Sequence, residues 1–191
     1  MTKQNIDSDL SLAILGLLAG RPMSGYDLRK VFRTTAMTAF SASPGAIYPA
    51  LRRLEQDGLI EGTVEGRNTL RPRRVFCLAQ RGKTALVGSL QRPVTRDDVV
   101  HGMDGLLLRF SFMSGLVGAG QIAAFLRALA EETDGYLKVL EGELRESGPG
   151  LPFSGRAALA QGVESYRTTA RWARRTLDEW TEKGPKKGGS K

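Results

Sequence analysis

The sequence predicts a mainly α-helical chain in two parts, with three helices and a two-stranded hairpin in the N-terminal half and helices alone after it. Three observations predict this. Apolar residues recur at helical spacing through residues 10–32 and again through 47–54, so each stretch has one face able to pack. LIEGTV and RRVFCL are β-prone runs around the polar EGRNTLRP, in which Gly66 and Asn68 can take the positive φ of a hairpin tip. Residues 122–140 and 159–180 carry apolar residues spaced alternately four and three apart, separated by the helix-breaking SGPGLP.

Composition bounds the class. The chain has 191 residues, 41% hydrophobic and 25% charged, enough for one large domain or two small ones with a real core. It opens on no charged-then-apolar leader, and no apolar run approaches the ~20 residues that span a bilayer. The expectation is a cytoplasmic protein with no membrane partner. Its one cysteine, Cys77, cannot form an internal disulfide, and its apolar neighbours in VFCL predict a small buried strand residue. Of the net charge of +8, residues 1–92 hold +7 (14 basic against 7 acidic side chains), and residues 66–92 hold no acid at all. Such single-sign density is the footprint of phosphate neutralisation, although a solvated basic surface would look the same.

Taken in order, Ser8 or Asp9 caps a first helix through Leu10, Ile14, Leu17 and Leu18 that ends at Gly20. The turn RPM follows. Ser24 and Asp27 form a capping-box variant for a second helix, which turns Leu28, Val31 and Phe32 inward and leaves Tyr26 and Lys30 on an outer face. After the loop-like TTAMTAFSA, Ser43 caps and Pro44 opens a third helix, at the position where a missing N–H costs nothing. Ile47, Leu51 and Leu54 form its packing face; Gly45, Tyr48, Arg52 and Gln56 line the other. Pro49 removes one hydrogen bond from its interior, at a cost of about 3 kcal/mol in an ordinary helix. Asp57-Gly58 stops it. After the hairpin a fourth helix runs from near Gln80 to Leu90 and is broken by Arg92-Pro93.

Three helices followed by a basic-tipped hairpin is the element order of a winged helix-turn-helix. LAILGLLAGRPMSGYDLRKVF, SPGAIYPALRRLEQDGLIEG and RRVFCLAQRGKTAL, which cover most of residues 10–86, resemble the PadR family of transcriptional regulators. Ala79 departs from the family pattern, which has a Thr able to cap the following helix. The resemblance implies a homodimeric DNA-binding regulator, with residues 43–56 in the major groove. Ser43, Pro44 and Gly45 in the first turn, with Tyr26, Lys30 and Tyr48, would hold phosphates, Arg52 would stand further along the groove face, and Arg67, Arg71 and Arg73 on the wing would reach backbone or minor groove. The division expected is a DNA-binding domain over 1–92, a helical dimerisation and effector domain over 93–183, and a basic tail over 184–191.

In the C-terminal half a strongly apolar helix is expected over 98–113 and a long one from Gln121 to about Glu146. In the last helix Leu159, Val163, Tyr166, Ala170, Ala173, Leu177 and Trp180 make a coiled-coil-like seam. An internal bundle would use the same seam, but two or three helices appended to a small winged domain make a poor closed bundle, so self-association is the favoured reading. The resemblance likewise implies a dimer formed by C-terminal helices of this kind. Family members can also release DNA on binding an aromatic or cationic effector at the dimer interface. Trp172, off the seam, suits either the lining of such a pocket or an ordinary place between helices. A small-molecule sensor with incidental DNA affinity is therefore the alternative function.

Enzyme signals are weak. Residues 118–123 fit G-x-G-x-x-A, but the acids about twenty residues later, Glu141 and Glu143, fall on the same helix, with no strand before the glycines. One histidine, His101, and one cysteine rule out a His/Cys metal cluster. No nucleophile elbow or Walker loop is present. The sequence therefore predicts a non-enzyme without metal or cofactor.

Overall fold

The structure, a computed structural model, describes residues 6, 8–35, 44–65 and 72–183. Ser43, the hairpin tip with Gly66, Arg67, Asn68 and Arg71, and the tail 184–191 lie outside the described residues. The chain divides between Leu90 and Gln91 into two compact units.

The N-terminal unit is built on α1 (Asp9–Gly20), whose residues Ser11 to Gly16 and Leu18 are all buried. Ser8 is its cap, and the hydroxyl accepts from Ser11 N (3.2 Å). β1 (Met23–Ser24) follows, then α2 (Gly25–Thr34). The capping box is complete: Asp27 N donates to Ser24 Oγ (3.2 Å) while Ser24 N donates to Asp27 Oδ2 (3.0 Å). α3 (Pro44–Gln56) continues through Pro49 and ends in a Schellman turn. Gly58, at φ 67°, supplies the left-handed residue, with Gly58 N donating to Glu55 O (2.9 Å) and Leu59 N to Leu54 O (2.8 Å).

β2 (Ile60–Glu65) and β3 (Arg73–Leu78) pair antiparallel, from Ile60 opposite Leu78 to Glu65 opposite Arg73. β1 adds a third strand on the far side of β3, Met23 opposite Phe76. The sequence reading placed Met23 in a turn and expected two strands. A two-residue strand is too short to show an alternation, so only its partner reveals it. α4 (Gln80–Leu90) closes the unit. Ile14, Leu15, Leu28, Ile47, Leu51, Ile60, Leu86 and Leu90 are the largest of its fully buried side chains among the described residues. Cys77 corrects another expectation: it is half-buried, and its Sγ donates to Glu61 O (3.5 Å).

The C-terminal unit begins with α5 (Arg96–His101), capped by a second capping box between Thr95 and Asp98, and α6 (Met103–Ser111). A single helix over 98–113 was expected; Gly102 splits it in two. α7 (Ala119–Glu146) and α8 (Phe153–Lys183) form a hairpin around a short 3-10 turn, Gly148–Gly150. They run antiparallel: Trp180 Nε1 donates to Ala119 O (3.2 Å) near one end, and Arg167 pairs with Glu141 (2.7 Å) further along.

That hairpin corrects the reading of the seam. Val163, Ala170 and Ala173 are 3%, 1% and 0% exposed in the single chain, so they are not a free face for a second one. Val163 packs with Leu137 and Leu140, flanked by Leu159, Tyr136 and Tyr166. The two tyrosine rings meet edge-on (4.9 Å), and Tyr166 Oη donates to Val99 O (3.4 Å). Leu177 and Trp180 are half-buried. A four-three apolar spacing says that a helix has a partner along its length, not whether that partner is in the same chain. Here α7 carries the complementary stripe.

Candidate nucleic-acid interface

The outer face of α3 is exposed because its other face is committed to the core. Ile47, Leu51 and Leu54 are buried, while Gly45, Tyr48, Arg52 and Gln56 are exposed on the opposite side. Tyr48 is 47% exposed, and Tyr26, from the first turn of α2, is 64% exposed. The two tyrosines, with Arg52, Arg73 and Phe76, line a cleft of about 340 Å³ between α2, α3 and β3. Gly25 lets Tyr48 lie against the start of α2: a Cβ there would stand 2.8 Å from Tyr48 Cε1. Lys30 lies exposed on α2, and the Arg29 guanidinium sits over the Tyr26 ring (6.0 Å). Asp27 is held as a carboxylate below its usual range, chiefly because it accepts from the Ser24 hydroxyl and the Ser24 amide, with Arg73 and Arg21 assisting.

The wing is tied to α3 by charge. Arg74 Nη2 donates to Glu55 Oε1 (2.6 Å), and Gly62 N donates to the same oxygen (3.1 Å). Arg73 makes a two-nitrogen contact with Glu65 across the strand pair, Nη2 at 2.9 Å and Nε at 3.1 Å, and both side chains are at least half exposed. Exposed pairs of this kind are worth about 0–1 kcal/mol, so Arg73 can be drawn to a stronger anion at little cost.

The sequence-predicted residues that the structure brings together are thus Tyr26, Tyr48, Arg52 and Arg73, with Lys30 and Gly45 exposed on the same two helices. Pro44 is the first residue of α3. Ser43, Arg67 and Arg71 lie outside the described residues. Sequence reasoning missed Glu55 and Arg74. Their link joins residues 19 apart, and only the α3–β2 turn and the β2–β3 register bring them together.

The C-terminal unit holds an aromatic group. Phe110 stacks on Phe125 (5.8 Å) and meets Trp172 edge-on (5.7 Å); Trp172 is half-buried. The Arg109 guanidinium lies over Phe125 (5.3 Å), and Arg109 is 6% exposed. Its Nη2 donates to Arg92 O, while Nε and Nη1 have no partner among the described residues. Burial pushes its pKa down, and the neighbouring Arg92 adds to the shift.

Chemistry elsewhere is sparse. Gly118 is the N-cap residue of α7, on which Glu141 and Glu143 also lie, so the glycines do not form a dinucleotide turn. His101 is an exposed helix-surface side chain. Among the described residues no group of three His, Cys, Asp or Glu is placed to hold a metal, and no helix is long and apolar enough to cross a membrane.

Residues 14–87, which run from inside α1 to inside α4, match the Transcriptional regulator PadR-like family. That match lies within the N-terminal unit and covers less than half of the chain, so the similarity to the family is a property of that unit. A relative in sequence is the negative transcriptional regulator PadR of Bacillus subtilis, 32% identical over 107 residues. That alignment covers 56% of this chain and 58% of the relative, so the chain spans little more than half of the regulator's length in it. Among solved structures, B. subtilis PadR in complex with operator DNA is 23% identical at a TM-score of 0.43, covering 89% of this chain and 98% of that one. A PadR-like transcriptional regulator from Bacillus cereus is 26% identical at a TM-score of 0.40, covering 92% and 99%. The side-chain geometry above therefore rests on this chain alone.

Proposed function

We propose that this PadR-like protein is a sequence-specific, DNA-binding regulator of transcription, not an enzyme, that acts in the cytoplasm as a homodimeric repressor on an inverted-repeat operator. The observation that carries the reading is the outer face of α3: Gly45, Tyr48 and Arg52 exposed beside Tyr26, in the half of the chain that holds +7 of the net +8. Gly45 lets a phosphate backbone come close to the first turn, where the positive end of the helix dipole favours anions. The tyrosine hydroxyls donate to phosphate oxygens, and Arg52 and Arg73 supply charge. The direction of regulation follows the name of the sequence relative, a negative regulator.

One such unit makes few base contacts, and two on a symmetric pair engage half-sites about one helical turn apart. Because α7 already covers Val163, Ala170 and Ala173, the second copy would sit on what the hairpin leaves uncovered, including the half-buried Leu159, Leu177 and Trp180. A small-molecule effector would act at that interface, near Trp172; B. subtilis PadR has also been solved in complex with p-coumaric acid.

Selection of genomic fragments retained by the purified protein, followed by footprinting, tests the reading. A protected inverted repeat, bound by a species that sediments as a dimer, is the result expected. Retention without sequence preference would leave only a basic protein with electrostatic affinity.

A further inference from the structure

We infer that Glu55 is a positioning residue that sets how the wing meets DNA, by holding Arg74 back from phosphate and pinning the start of β2 to α3. This rests on the DNA-binding reading above. Glu55 lies on α3 one turn beyond Arg52 and lines the same cleft as Tyr48 and Arg52; its side chain is 26% exposed. A single oxygen, Oε1, accepts from a backbone amide of β2, Gly62 N (3.1 Å), and from a guanidinium of β3, Arg74 Nη2 (2.6 Å). One carboxylate thus joins the helix to both strands of the wing.

Gly62 is part of the same device. A Cβ at that position would stand 2.7 Å from Glu55 Oε1, 2.6 Å from Arg74 Nε and 3.0 Å from the Phe76 ring, so the three-way contact needs a residue without a side chain. Arg74 is further fixed over the Phe76 ring (5.4 Å). Its neighbour Arg73 faces Glu65 in an exposed pair, whereas Arg74 faces a half-buried acid that also bonds backbone. Two adjacent arginines are therefore held differently: Arg73 is available to phosphate, and the charge of Arg74 is cancelled. An arginine released beside a phosphate-binding face would add affinity for every sequence alike, which dilutes specificity.

The test uses the full chain, a 30-base-pair duplex of random sequence and the fragment it selects from the genome. Glu55→Gln keeps an acceptor for Gly62 N but no longer cancels Arg74. Its random-duplex affinity should rise, and the log–log salt slope should steepen by about 0.9, the value of one more phosphate contact. The ratio of selected to random affinity should fall. Adding Arg74→Met should return the slope to that of the parent, which separates release of Arg74 from a general disturbance of the fold. Amide exchange of Gly62 should quicken in Glu55→Ala, ahead of the amides of α1.

A parent that binds DNA, with a Glu55→Gln variant of unchanged slope and ratio, would overturn the inference and leave the DNA-binding reading standing. A steeper slope that survives Arg74→Met would overturn it as well. A parent that binds no duplex at low salt would remove both.

Discussion

The carbonyl oxygen of Leu59 lies against Gly82, in the space a Cβ on that glycine would need. The same carbonyl accepts Ala79 N (3.1 Å), so the start of α4 is moored to the chain just before β2. A methyl group at 82 meets backbone that cannot swing aside. Gly82→Ala should lower stability by about 1–3 kcal/mol, the cost of overpacking, even though alanine suits a helix better. Gly88, on the same helix, has nothing within 4 Å of its missing Cβ. Gly88→Ala should therefore stabilise by up to about 1 kcal/mol. Thermal unfolding of the two variants should move in opposite directions, and a shared direction would show that helix propensity, not the Leu59 contact, governs α4.

Gly25 allows a separate test of the groove face. A Cβ there meets the Tyr48 ring at 2.8 Å and Leu51 Cδ1 at 3.4 Å. Tyr48 is exposed and can rotate, so the fold should lose less than about 1 kcal/mol while the ring leaves its place beside Tyr26. Gly25→Ala should weaken DNA binding several-fold with little change in thermal midpoint and in salt slope, since no charge moves. Titration of the selected fragment at two salt concentrations checks this; affinity equal to the parent would remove Tyr48 from the contact surface.

Much of the N-terminal unit was legible in the sequence because its signals are local. Ser8, the Ser24–Asp27 box and Asp57-Gly58 act within a few residues, and Ile47, Leu51 and Leu54 mark a face by spacing alone. What could not be read depends on distant pairing. The β1 strand exists only through Val75 and Phe76, and the Glu55–Arg74–Gly62 link needs both the helix end and the strand register. The same limit explains the seam of α8. Its apolar period is real, but Val163 finds Leu137 and Leu140 within its own chain, a choice that spacing cannot make. The break at Gly102 had a local signal, a glycine after His101, outweighed by the strong apolar pattern on either side.

Asp27 gives the N-terminal unit a pH dependence. Its carboxylate accepts from Ser24 Oγ (2.7 Å) and Ser24 N (3.0 Å), and these bonds hold its pKa below the ordinary 3.8. A group whose folded pKa is depressed adds stability that is present above the unfolded pKa and lost as pH falls through the folded one. The capping box should therefore contribute fully at pH 6–7 and fade below about pH 4. Asp27→Asn should cost about 0.5–2 kcal/mol at neutral pH, as for other caps, and much less near pH 2–3. Denaturant unfolding of parent and variant across that range checks it; a difference independent of pH would mean that geometry, not charge, makes the cap.

Arg109 is poorly compensated where it lies in the C-terminal unit. It is 6% exposed, two of its guanidinium nitrogens lack partners among the described residues, and its one hydrogen bond is to a neutral acceptor, the Arg92 carbonyl. Stacking on Phe125 recovers part of the lost hydration, since an arginine face is weakly hydrated and drawn to the ring. The larger effect is desolvation, which lowers the pKa of Arg109 with no carboxylate in salt-bridge contact among the described residues. Replacing a buried charge by an apolar side chain of similar length is commonly neutral or stabilising by about 1–4 kcal/mol. Arg109→Met should thus raise the unfolding midpoint of the C-terminal unit, with methionine filling the space over Phe125. Arg109→Ala should lower it, because a truncated side chain leaves a cavity over the Phe125 ring and costs about 2–5 kcal/mol as for other long side chains. If methionine destabilised as much as alanine, the guanidinium would be satisfied in solution in a way its charge and burial do not indicate.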